Sequence, residues 1–294
     1  MIRLVASDLD GTLLDTFRRI TDENREAIAM LQEHGIEFII NTGRDYQNVV
    51  DIAAEANLTC GMICSNGASG YDENGKMLFQ HFIPSDSVKQ IFEIFRKMDF
   101  VPNVFSQQGR ISFLSKEGLE DYTRNVMIPS MQISHPDFVY TDQDLQDLMG
   151  RVIFIDGEET LFQSDHQILK VTTHTTQPER LADLREALKA VPDLAVANTS
   201  VADLEITSIH AQKGIGLMDY AKTKGYQADE IVAIGDSGND YSMLSLPGIH
   251  SVAMANATEE IQNVCVYRTR DNANDGIAYI IRCILADRNN FELR

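Results

Sequence analysis

Five short runs of nearly unbroken apolar residues constrain this chain most: Ile2–Ala6, Glu37–Ile40, Met62–Cys64, Ile231–Ile234 and Ser251–Met254. A strand that is apolar on both faces must be covered on both faces, and helical patterns lie between several of these runs. Glu23–His34 sets Ala27, Ile28 and Leu31 on one side and stops at Gly35, a suitable helix terminator. Tyr46–Ala56 carries Val49, Val50, Ala53 and Ala54, Gly214–Lys224 carries Leu217, Tyr220 and Ala221, and Gly276–Leu285 carries Ile277, Ile280, Ile281 and Ile284. The alternation predicts an α/β core, a parallel sheet with helices on both faces.

Ligands of such sheets bind beyond the carboxyl ends of the strands. Polar clusters stand there four times: Ser7–Thr12, Asn41–Arg44, Ser65–Gly67 and Gly235–Asp240. Four such loops would converge on one rim, which is the pattern of an active site. In the first of them Asp8 and Asp10 are two positions apart, so on an extended segment both side chains point the same way. Like charges this close resist burial, which calls for a cation, a shared proton, or both.

The middle of the chain reads differently. Ala68–Tyr71 and Lys76–Phe82 flank Asp72-Glu73-Asn74-Gly75, a hairpin signal. After Pro84 a helical pattern holds Val88, Ile91, Phe92, Phe95 and Met98. Strand-like pieces follow near Arg110–Leu114, Arg151–Ile155 and Leu169–Thr173, then a helix opened by Pro178, then a strand pair at Leu194–Ala197 and Leu204–Thr207. The expected organisation is a core of residues 1–83 and 210–294 interrupted by an α+β domain at 84–209, with hinges at Pro84 and Ser208–Gln212.

A length of 294 residues suits two domains. The formal charge of −19 argues against nucleic-acid or anionic-membrane partners, which require basic surface. Cys60, Cys64, Cys265 and Cys283 lie in apolar or amphipathic segments without a second ligand pair, so they read as buried thiols of a reducing cytoplasm. No charged-then-apolar leader opens the sequence and no apolar run reaches about 18 residues. The expected location is cytoplasmic; the oligomeric state is left open.

A phosphate monoester fits the four loops. Its hydrolysis needs roughly 20 kcal/mol or more of barrier lowering, supplied mainly by charge neutralisation and in-line positioning. Asp8 and Asp236 could offer carboxylates to Mg²⁺, which takes one or two of them together with substrate oxygen. Asp8, at a strand tip, suits the nucleophile of an acyl-phosphate route. Asp10 would protonate the departing oxygen and then take a proton from water. Lys213, Thr42 and the Gly43 amide stand at helix entries and could hold phosphoryl oxygens. Asn239 could steady phosphate or nucleophile, and Asp240 could orient Lys213 or a metal-bound water. Singly, Lys213 reads as a solvated helix residue, Thr42 as a helix cap and Arg44 as a surface ion pair or a site residue; the ordered set carries the reading. Arg110, Arg124 and Lys170, cations of the insertion, read first as solvated surface.

Asp8-Leu9-Asp10-Gly11-Thr12-Leu13, Thr42-Gly43-Arg44, Lys213-Gly214 and Gly235-Asp236-x-x-Asn239-Asp240 resemble, in order, the four motifs of the haloacid dehalogenase-like phosphatases, Cof-type group. The resemblance implies a Rossmann-like core, Asp8 as the phosphorylated nucleophile and Asp10 as general acid/base. It implies Mg²⁺ held by Asp8, the Asp10 main-chain carbonyl and Asp236. Phosphate would be held by the Leu9 backbone, Thr42, Gly43, Lys213 and Asn239, with Thr12, Arg44, Asn66 and Asp240 in support. Asn41 departs from the small apolar residue many relatives carry. The insertion falls between the second and third motifs, where the resemblance implies a large lid that closes over the leaving group and sets substrate choice. The expected activity is hydrolysis of small phosphorylated metabolites, sugar phosphates by family analogy. Two rival readings are a phosphotransferase or phosphomutase on sugar phosphates and a phosphometabolite-binding regulator.

Overall fold

The computed structural model describes residues 1–134, 136, 138–198 and 200–287. Two compact units emerge, Met1–His81 with Ala211–Arg294, and Phe82–His210.

In the first unit, strands β1 (Leu4–Ser7), β2 (Glu37–Asn41) and β3 (Gly61–Cys64) alternate with helices α1 (Asp22–Glu33) and α2 (Tyr46–Glu55), and β4 (Ser69–Tyr71) and β5 (Met77–Gln80) form the hairpin. The second unit holds α3 (Ser85–Lys97), β6 (Asn103–Ser106), β7 (Gly109–Ser112), α4 (Lys116–Tyr122), α5 (Ile128–Ser134), α6 (Asp142–Arg151), β8 (Ile153–Phe154), α7 (Gly157–Gln163), β9 (Ile168–His174), α8 (Arg180–Leu188), β10 (Leu194–Ala197) and β11 (Asp203–Ser208). The chain then returns to the first unit with α9 (Lys213–Lys224), β12 (Ile231–Gly235), α10 (Tyr241–Leu244), β13 (His250–Ala253), α11 (Glu259–Val264), β14 (Tyr267–Arg268) and α12 (Gly276–Ala286).

The first unit's sheet runs β14-β13-β12-β1-β2-β3-β4-β5. It is parallel from β14 to β3, and the hairpin β4–β5 extends it antiparallel. Central β1 and β12 are buried along their whole length, which is why their sequences show no alternation. In register, Ser7 lies opposite Ile234 and Ile40, so the ends of β1, β2 and β12 are level. Their three following loops therefore start at one height.

The second unit's sheet, β10-β11-β9-β6-β7-β8, is antiparallel except for β7–β8. One face packs Val104, Val171 and Ile206 against Val88, Ile91, Phe92 and Phe95 of α3 and Leu181, Leu184 and Leu188 of α8. Among the described residues, the stretch from Lys116 to Gln163 contains the helices α4 to α7, which the apolar periodicity does not announce. They are short, and α4 and α6 share a small separate cluster of Leu119, Tyr122, Leu145 and Met149. Of the three insertion cations, Lys170 is buried beside Glu205 at 2.8 Å, contrary to a solvated surface reading. Arg110 donates to Asn103 Oδ1 at 2.6 Å, and Arg124 lies exposed between Glu120 and Asp142.

Candidate active site

The pairing of β1 with β12 continues one residue past the strand, because the Asp8 amide donates to Ile234 O at 2.9 Å. The backbone then coils into a single five-residue turn over Leu9–Leu13, closed by Leu14 N–H to Leu9 O at 2.9 Å. Gly11 sits at φ +76°, and a Cβ there would come within 2.6 Å of Asp236 Oδ2. Both conformation and space thus require glycine at this point.

This turn separates the two acids. Asp8 is 3% exposed and accepts from Lys213 Nζ at 2.5 Å. The Asp10 side chain, half-exposed, turns to Arg44, which donates through Nε to Oδ2 at 2.7 Å and through Nη2 to Oδ1. Arg44 is itself held by Asn48 Oδ1 at 2.8 Å. The parallel presentation expected of residues i and i+2 does not arise, because the strand has already ended at Ser7.

Lys213, fully buried at the first turn of α9, also donates to Asp240 Oδ1 at 2.7 Å. The other Asp240 oxygen accepts from the amides of Asp236 at 2.9 Å and Ser237 at 3.0 Å. Asp236 Oδ1 accepts from the Thr12 hydroxyl at 3.0 Å. Carboxylate oxygens of Asp8, Asp236 and Asp240 all lie within 4.8 Å of one another.

Thr42 is buried at the end of β2, and its hydroxyl accepts from the Arg44 amide at 3.2 Å. Its carbonyl accepts from Asn66 N–H at 3.0 Å, which ties the second loop to the third. Ser65 and Asn66 both have left-handed backbones, φ +52° and +58°, a sparsely populated region for such residues that recurs at functional sites. Asn239 donates weakly to Asn66 Oδ1 at 3.5 Å and accepts from the Ser237 hydroxyl at 2.9 Å. Leu9 is buried, and Gly43 is half-buried between Thr42 and Arg44. The four loops therefore meet within one unit. Asn256, outside the four polar clusters, donates its side-chain amide to Gly11 O at 2.8 Å. Its signal in the sequence is its place just beyond the fifth apolar run, Ser251–Met254, at a strand's carboxyl end.

Electrostatics sort these groups. Burial, reinforced by the Asp240 carboxylate, drives the Asp8 carboxyl well above its ordinary range, with the Lys213 ammonium opposing. Burial and Asp240 likewise push Asp236 up to about 7. Burial alone would depress the Lys213 ammonium, but Asp240 and Asp8 outweigh it and hold the proton on. The surroundings of Asp10 also push upward, yet the Arg44 guanidinium wins and leaves this carboxyl below its usual value. Three clustered carboxyl groups face one ammonium, so the cluster would carry excess negative charge with all three ionised. Hard oxygen donors in this number suit a divalent ion such as Mg²⁺. Both oxygens of Asp240 are already engaged, one by Lys213 and the other by the amides of Asp236 and Ser237.

Residues 5–281 match the family model described as haloacid dehalogenase-like hydrolase. The chain belongs to the haloacid dehalogenase-like hydrolases. It is similar to the phosphatase YwpJ of Bacillus subtilis, 27% identical over 97% of this chain and all of that protein. It is also similar to the 5-amino-6-(5-phospho-D-ribitylamino)uracil phosphatase YwtE of the same organism, 26% identical over 97% of this chain and 99% of that one. A solved haloacid dehalogenase-like hydrolase from B. subtilis superposes with a TM-score of 0.83 at 26% identity, covering 96% of this chain and 99% of the other. This haloacid dehalogenase-like hydrolase is a phosphatase of small phosphorylated molecules. Among the described residues no helix is long and apolar enough to cross a membrane.

Proposed function

We propose that this phosphatase is Mg²⁺-dependent, works in the cytoplasm and hydrolyses sugar phosphates through an aspartyl-phosphate on Asp8. The observation that carries the reading is the buried Asp8 carboxylate, held at one oxygen by Lys213 and flanked by Asp236. A relative named for a phosphorylated ribityl compound supports a polyhydroxylated substrate.

In this reading Asp8 attacks phosphorus, an Asp8–phosphorus bond forms and the bond to the leaving oxygen breaks. Asp10 gives that oxygen a proton, then withdraws one from the water that splits the acyl phosphate and regenerates Asp8. Arg44 keeps Asp10 ionised while the site is empty of substrate; an arriving phosphate dianion adds negative charge and raises its proton affinity. Lys213, Thr42, the Gly43 and Leu9 amides and Asn239 hold the phosphoryl oxygens, while Thr12 and Asp240 orient Asp236 and Lys213. Mg²⁺ would be held by Asp8, Asp236 and the Asp10 carbonyl, and when bound it neutralises charge on the transferring group. The inserted unit is the proposed lid and source of substrate choice.

Phosphate release from an aryl phosphate and from a panel of phosphorylated metabolites tests this. Asp8→Asn should abolish release in a variant that still folds, and EDTA should silence the parent enzyme. Full activity in chelator, or turnover by Asp8→Asn, would reject the assignment.

A further inference from the structure

Asn41 stands at the end of β2, next to Thr42, and is fully buried. Its Nδ2 donates to the main-chain oxygen of Lys213 at 3.0 Å and lies 3.4 Å from Met243 Sδ. Its Oδ1 is buried with no hydrogen-bond partner among the described residues. An orphaned buried oxygen is destabilising, and a leucine, of the same branched shape but larger, would avoid it. What the asparagine offers in exchange is a donor aimed at one carbonyl.

That carbonyl belongs to the residue whose ammonium joins Asp8 to Asp240. The start of α9 has no capping side chain on Gln212. Its first turn is held from outside, by Asn41 on Lys213 O and by the Ser242 hydroxyl on Gly214 N–H at 3.1 Å. Ser242 and Met243 belong to α10, which begins directly after Asp240. Asn41 thus links the strand that leads into Thr42 with both elements around the Lys213 ammonium.

We infer that Asn41 is a positioning residue, fixing the main chain of Lys213 so that its ammonium spans Asp8 and Asp240. Its consequence for turnover rests on the phosphatase mechanism proposed above; its consequence for Lys213 does not.

The test is Asn41→Leu, with Asn41→Ala as the second variant should leucine prevent folding. Three quantities are read: kcat for an aryl phosphate, the ¹⁵N signal of the Lys213 side-chain ammonium (assigned with Lys213→Met), and amide exchange across residues 213–217. The variant used is one whose melting curve shows it folded. Its ammonium signal should shift or broaden, first-turn exchange should quicken at least fivefold, and kcat should fall at least tenfold. An unmoved ammonium signal and exchange in a folded variant would overturn the inference, as would kcat within twofold of the parent. If the parent releases no phosphate from any ester, the mechanism fails, while the ammonium signal and exchange still decide the role of Asn41.

Discussion

Asp8 and Asp10 are separated by one residue, yet their neighbours drive the two carboxyls in opposite directions. Asp8 shares a buried space with Asp240 and Asp236 and is pushed up, whereas Asp10 faces the Arg44 fork and is held down. The difference arises because the backbone coils at Leu9–Leu13, so one acid stays under the strand ends and the other swings outward. A group in the position of Asp10 matters to a reaction in proportion to how badly the leaving oxygen needs a proton. Asp10→Asn should therefore lose about 10²–10⁴-fold in kcat toward an alkyl phosphate, and far less toward a nitrophenyl phosphate. Rates measured on both esters decide it. An equal loss on the two would remove Asp10 from leaving-group protonation.

At the scale of elements, the first unit was legible because its central strands are buried on both faces and end abruptly in polar residues. β1, β2, β3 and β12 could be placed from Val5, Ile39, Ile63 and Val232 and their neighbours, and the site loops followed from where those runs stop. The insertion was less legible. α4 to α7 are short, bury only a few residues each, and lie in a stretch whose polar residues are spent on capping, as at Ser115 and Thr141. Ion pairing was also hidden, since nothing near Arg44 in the sequence reveals that its partner is Asp10 rather than solvent. The start of α9 shows how tightly such elements are fixed. A Cβ on Gly214 would lie 2.2 Å from Ser242 O and 3.1 Å from Met243 N, both main-chain atoms that cannot swing aside. Alanine would gain about 1 kcal/mol in helix propensity, but overpacking costs about 1–3 kcal/mol. Gly214→Ala should thus lower stability in chemical denaturation and, by displacing Lys213, reduce turnover as well. A variant at least as stable as the parent would contradict this close fit.

At the scale of the whole molecule, the two units have separate cores and unequal electrostatic burdens. The unit holding the site concentrates Asp8, Asp236 and Asp240 around one ammonium, in a chain of formal charge −19. Asp236 titrates near 7 in the fold against an ordinary value of 3.8, so the folded state binds the proton more tightly than the unfolded chain does. A carboxyl raised in this way contributes stability that is complete below about 4 and lost as pH climbs through about 7. The metal-free protein should accordingly lose up to about 4 kcal/mol of stability across that window from this group. Asp236→Asn removes its share of the repulsion, so it should shrink the pH dependence and leave the metal-free protein more stable than the parent at pH 8. Mg²⁺ binding to the ionised pair should restore the parent instead, by about 2.7 kcal/mol at a hundredfold excess over its Kd, and should do nothing for Asp236→Asn. Segment-resolved hydrogen exchange at pH 8 can read both effects. Protection should rise with Mg²⁺ in β1, β2 and β12 of the parent, while β6, β7 and β9 of the inserted unit stay unmoved. A Mg²⁺ response that survives in Asp236→Asn would place the ion elsewhere than between Asp8 and Asp236.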